Sequence, residues 1–90
     1  MDKFHSRYGK NIWLTEYACH SFTGKGKCSS SQALAFMKTI AKHCESKTWC
    51  ETHMIYGSFI NSRTGVSKVN AIYSSSSGSM TSLGKAYLTI

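Results

Sequence analysis

Apolar and polar positions fall in blocks along this chain. Ile12, Trp13 and Leu14 form a continuous apolar run, bounded by Gly9 on one side and by Thr15 and Glu16 on the other. Such a run suits a short β-strand covered on both faces, as in parallel α/β sheets, with Trp13 in the core. The rhythm changes after Ser29. Ser29 with Gln32 three residues on reads as a capping box that opens a helix. From residue 32 to 45, Ala33, Met37, Ile40 and Cys44, with Leu34 and Ala41 beside them, recur at helical spacing, while Lys38 and Lys42 fall opposite. A second strand is predicted within residues 49–59, centred on residues 53–56. Strand, helix and strand in that order make a βαβ unit whose strands are parallel. A last short helix is predicted over residues 80–88, with Met80, Leu83, Ala86 and Tyr87 on one side. Residues 1–7 read as the final turns of a helix leading into the first strand. Residues 61–70 read as a polar excursion, Val69, Ala71, Ile72 and Tyr73 as a short apolar patch, and residues 74–78 as a low-complexity loop.

Ninety residues support a single small α/β domain with a modest core. Eleven Lys and Arg against four Asp and Glu give a formal charge of +7, a balance that attracts polyanions. The basic residues are scattered, with no run of four and no nucleic-acid motif, so a solvated surface is the reading and no specific nucleic-acid partner is expected. No stretch is long and apolar enough for a signal-peptide core or a membrane span, so no membrane partner is expected and the location of this chain stays open.

Cys19, Cys28, Cys44 and Cys50 permit three pairings. The first two flank the loop after the first strand, and the last two flank the turn between helix and second strand. Sequential disulfides, free buried thiols and zinc ligation with the neighbouring His20, His43 and His53 all stay open. The sequence has no CxxC spacing, and no metal or organic cofactor is expected. The chain has no Gly-x-Ser-x-Gly elbow and no cysteine-hydrolase signature, and residues 24–27 lack Walker spacing.

Glu16 is the residue with chemistry to explain. A carboxylate at the C-terminal end of a parallel strand is where α/β barrels keep catalytic groups. The segment YGKNIWLTEYAC, Tyr8 to Cys19, resembles the nucleophile segment of the glycosyl hydrolase catalytic-core family, glycoside hydrolase family 128, usually close to Y-G-K-P-I-W-[LV]-T-E-F-A-C. The segment GSMTSLGKAYL, Gly78 to Leu88, resembles the same family's closing stretch, G-x-L-T-x-L-G-x-x-Y-L. The family's eighth strand commonly reads V-x-R-Y-A-W-F-G. Against it, Tyr56 and Gly57 match the Phe-Gly pair, whereas Thr52, His53 and Ile55 stand where the family has Arg, Tyr and Trp. Asn11 stands where it has proline.

The resemblance implies a TIM (β/α)8 barrel acting on β-1,3-glucans. A complete barrel needs roughly 250 residues, so residues 1–90 would be a C-terminal βαβα fragment, the last two βα units. In a full-length parent the resemblance implies an extracellular or cell-wall enzyme. Retaining glycosidases use two carboxylates about 5 Å apart, one nucleophile and one acid/base. The resemblance assigns Glu16 as nucleophile and the acid/base to an earlier strand. Asp2, Glu45 and Glu51 are the other acids here, and each is expected at the wrong end of the βαβ unit. Tyr17, Tyr56 and Phe59 are the aromatic candidates for stacking on sugar rings. The isolated chain is expected to hydrolyse nothing and to self-associate through open sheet edges. The competing class is a small basic protein that binds glucan or polyanion without catalysis.

Overall fold

A computed structural model of the chain describes residues 1–21, 23, 27–56, 67–74 and 78–90. Its elements are α1 (Asp2–Tyr8), β1 (Ile12–Tyr17), α2 (Ser30–Glu45), β2 (Cys50–Ile55), a 3₁₀ turn (Lys68–Asn70) and α3 (Ser82–Leu88). Helix α1 stops because Gly9 adopts a left-handed conformation (φ 62°) and its N–H donates to the His5 carbonyl at 2.8 Å, which closes the last turn. Helix α2 opens with the capping box read from the sequence. The Gln32 N–H donates to Ser29 Oγ at 3.2 Å, and the Ser29 N–H donates to Gln32 Oε1 at 2.9 Å. Its buried residues, Ala33, Met37, Ala41 and Cys44, form one stripe, with Lys38 and Lys42 exposed. The two alanines in that stripe let the helix lie close to the strands.

β1 and β2 are parallel, with Ile12 opposite Cys50, Trp13 opposite Thr52, Leu14 opposite His53 and Tyr17 opposite Ile55. The register slips after Ile12 and again between Leu14 and Tyr17. The core gathers Tyr17, Ala33, Met37, Ala41, Ile55 and Leu83, with Leu14, Phe36, Val69, Ile72 and Tyr87 packed against it. Thr81 caps α3 by accepting the Gly84 N–H at 3.1 Å, and its hydroxyl donates to the Ala71 carbonyl at 2.7 Å. Among the described residues, no helix is long and apolar enough to cross a membrane.

Three sequence expectations change. The first strand is covered on one face only: Trp13 is 64% exposed and Met54, on β2, 42%. The apolar run that predicted double coverage thus leaves Trp13 outside the core. The second strand is shorter than residues 49–59, and those beyond Tyr56 lie outside the described residues. Asn70, read as part of a polar excursion, is 1% exposed. Its side chain supplies the hydrogen bonds that buried backbone needs.

Candidate active site

The C-terminal end of β1 is fixed from several sides. The Tyr17 carbonyl accepts the Tyr56 N–H at 3.0 Å, so the last turn of the sheet ladder runs beside Glu16. Two residues beyond Tyr17, the Cys19 N–H donates to Asn70 Oδ1 at 2.8 Å, and Asn70 Nδ2 returns a bond to the Cys19 carbonyl at 2.9 Å. Cys19 is also bonded to Cys28, which ties the loop after β1 to the residue before the α2 cap. Cys44 is bonded to Cys50, joining the end of α2 to the start of β2. The pairing left open by the sequence is therefore sequential, and no thiolate remains among these four for a metal. His20 accepts the Ser67 N–H on Nδ1 at 3.0 Å and holds the chain just ahead of the 3₁₀ turn.

Glu16 itself is exposed and has no hydrogen-bonding or charged partner among the described residues. The other three carboxylates are committed elsewhere. Asp2 accepts from His43 Nε2 at 2.7 Å, a bond that holds its carboxyl below the ordinary range. Glu51 accepts from Trp13 Nε1 at 2.6 Å and from Asn11 Nδ2 at 2.7 Å, and those two bonds lower its pKa. Glu51 lies at the start of β2 beside the start of β1, the end opposite Glu16. Glu45 Oε1 accepts from His53 Nε2 at 3.1 Å. Among the described residues, each of these three carboxylates is bonded to groups other than Glu16.

His53 gathers a further set of residues. Its side chain is 9% exposed, its Nδ1 lies 2.9 Å from the Tyr17 hydroxyl, and its carbonyl accepts from the Tyr87 hydroxyl at 3.0 Å. The Tyr87 ring meets the imidazole edge-on, with centroids 5.5 Å apart. Burial pushes the Tyr17 phenol pKa up, the nearby Tyr87 adding to it, so the phenol keeps its proton. Glu45, expected only as a helix-end acid, thus joins Tyr17 and His53 in one hydrogen-bonded chain.

Of the aromatic candidates, Tyr17 is 8% exposed, and its ring packs among core residues with no face free for a sugar. That corrects the expectation of a stacking residue: the slip in register before Tyr17 turns its side chain to the helix side of the sheet. Tyr56 stays half-buried at the end of β2, and Phe59 lies outside the described residues. A cavity of about 350 Å³ lies between the starts of α2 and α3 and is lined by Ser30, Leu34, Lys68 and Thr81 among others. Another, of about 460 Å³, is lined by Met1, Phe4, Asn11, Ile12 and Trp13 at the far end of β1. Neither is lined by Glu16, which is exposed at the end of β1.

The residue pattern of the sequence singled out Glu16 as a candidate, and the cysteines, which the structure pairs. It missed Asn70 and the His53 chain, because hydrogen bonds between residues far apart in sequence leave no periodic trace. The one signal for His53 was its departure from the family's strand wording.

The model of the glycosyl hydrolase catalytic core family matches residues 1–87. Among solved structures, the chain is similar to a GH128 (subgroup V) exo-β-1,3-glucanase from Cryptococcus neoformans, with 22% identity and a TM-score of 0.79. That likeness covers 97% of this chain and 35% of the other, and at this identity it speaks for the fold alone. No curated protein sequence matches the chain. With a mixed α/β fold, a strand-end glutamate and a family match over nearly its whole length, the chain belongs to the glycosyl hydrolase catalytic core family.

Proposed function

We propose that residues 1–90 are the C-terminal βαβα portion of a TIM (β/α)8 barrel that hydrolyses β-1,3-glucan with retention, and that Glu16 is its nucleophile. The observation that carries this reading is the contrast among the four acids: Glu16 is exposed and unpartnered at a clamped strand end, while Asp2, Glu45 and Glu51 are engaged in other bonds. In a retaining mechanism the Glu16 carboxylate attacks the anomeric carbon, the leaving oxygen takes a proton from an acid/base carboxylate, and water then releases the glycosyl-enzyme. That second carboxylate would come from sequence outside this chain. Tyr56 and Phe59 are the sugar contacts proposed at the mouth, and the full-length parent is placed outside the cell or in its wall.

The test separates the nucleophile from the missing acid. In 2-deoxy-2-fluoro laminaribiosyl fluoride the anomeric fluoride leaves as F⁻ without needing protonation, so a lone nucleophile can still displace it and keep the sugar. Intact-mass analysis is expected to find one glycosyl unit added to the wild type and none to Glu16→Gln, with no laminarin hydrolysis by either. No adduct on the wild type would sink the catalytic reading.

The second reading, a small glucan-binding protein without catalysis, is favoured by the one missing carboxylate. It predicts equal retention of wild type and Glu16→Gln on insoluble β-1,3-glucan. Strongly salt-dependent retention on heparin instead would mark the +7 charge as the binding determinant.

A further inference from the structure

Glu16 lies where the β1 register slips, a place where the ladder alone does not hold a strand. Tyr17, the next residue, is held by its side chain as well as its backbone. A carboxylate can only accept, so His53 Nε2 carries the proton that reaches Glu45, and in the neutral ring Nδ1 is then an acceptor for the Tyr17 hydroxyl. The order Tyr17 O–H to Nδ1, and Nε2–H to Glu45, satisfies every member, and it links the end of β1, the middle of β2 and the end of α2. The Tyr17 hydroxyl has no second partner among the described residues.

We propose that His53 is a positioning residue: through Tyr17 it sets the place of Glu16 at the end of β1, with Glu45 fixing the ring's tautomer. The inference rests on Glu16 being the reacting carboxylate. Protonation of His53 turns Nδ1 into a donor, so the Tyr17 oxygen must accept and its own buried proton loses its acceptor. The strand end then rearranges, and Glu16 with it. The titratable groups that face the ring are Glu45 from α2, Tyr17 from β1 and Tyr87 from α3.

Isotope-labelled full chain, followed by NMR as the pH is varied, tests this without any sugar. In the wild type, the Glu16 and Tyr17 amide signals are expected to shift with the same midpoint as the His53 ring. His53→Gln keeps an acceptor for Tyr17 but cannot titrate, so the strand-end signals should stay in place and lose that inflection. Tyr17→Phe should lose it too, with the Glu16 amide displaced at every pH. Glu45→Gln should move the ring midpoint and the Glu16 inflection together. A folded His53→Gln that keeps the inflection, or a wild type that never shows it, overturns the proposal. If His53→Gln does not fold, the other two variants decide in the same terms. The glycosyl fluoride labelling reports separately on Glu16 as nucleophile, so failure of that reading and failure of the positioning are told apart.

Discussion

Gly84 has no room for a methyl group. A Cβ built there would lie 2.5 Å from the Ile72 carbonyl oxygen and 2.7 Å from Met80 Cγ, where α3 packs against the chain that leads into it. The methionine can move but the backbone carbonyl cannot, so Gly84→Ala is expected to destabilise by about 1–3 kcal/mol, as overpacked sites do. Urea unfolding checks this, and an unchanged midpoint would mean that α3 is free to shift. The family wording already placed a glycine at this position, but only the fold supplies the reason. Glu16 was singled out in the same way, as a candidate from a motif. Tyr17 and Trp13 were not legible. Each is an aromatic residue beside a polar strand end, and which of the two turns inward depends on where the register slips, which residue types do not reveal.

At the level of elements, local rules predicted well wherever the stabilising interaction is local. The Ser29–Gln32 box and the Ala33, Met37, Ala41, Cys44 stripe of α2 both lie within the helix's own sequence. Ser29→Ala removes the acceptor for the Gln32 N–H, and thermal or chemical denaturation should find a loss of about 1 kcal/mol. A loss far above that would show that Ser29 also supports the nearby Cys28 bridge. Helix α1 was legible as a helix, but its attachment was not. It buries no residue of its own, and it is held by the His5 ring stacked on Trp49 at 4.4 Å and by the Asp2–His43 pair. The second strand was predicted too long because apolar and aromatic residues continue past Ile55, where pairing with β1 ends.

For the molecule as a whole, strong acid should also loosen the sheet's N-terminal end. The pKa values of Asp2 and Glu51 are lowered from 3.8 and 4.5 by their bonds to His43 and to Trp13 with Asn11. A carboxyl depressed in the folded state binds fewer protons than in the unfolded chain, so its contribution is complete above the unfolded pKa and fades as pH falls through the folded one. Tryptophan fluorescence should therefore begin to change below about pH 4.5, the ordinary range for these acids. Glu51→Gln should blunt the change at Trp13; a response unaltered by that substitution would rule out the pair as its source. The uncovered sheet face, with Trp13 and Met54, should drive self-association. Sedimentation velocity is expected to find species above 10.0 kDa for the wild type and a monomer for Trp13→Ser with Met54→Ser, and a monomeric wild type rejects the idea. The sequence foretold open edges from its strand count alone, yet it could not say which side chains would stand on the open face. The Asn70–Cys19 clamp adds a clock to this picture. The Cys19 amide proton sits outside every helix and strand, yet it points at a buried side chain 51 positions later in the chain. Its exchange with deuterium requires the Asn70 side chain to leave Cys19, so one slow amide in an irregular segment times the parting of the β1 end from the 3₁₀ turn.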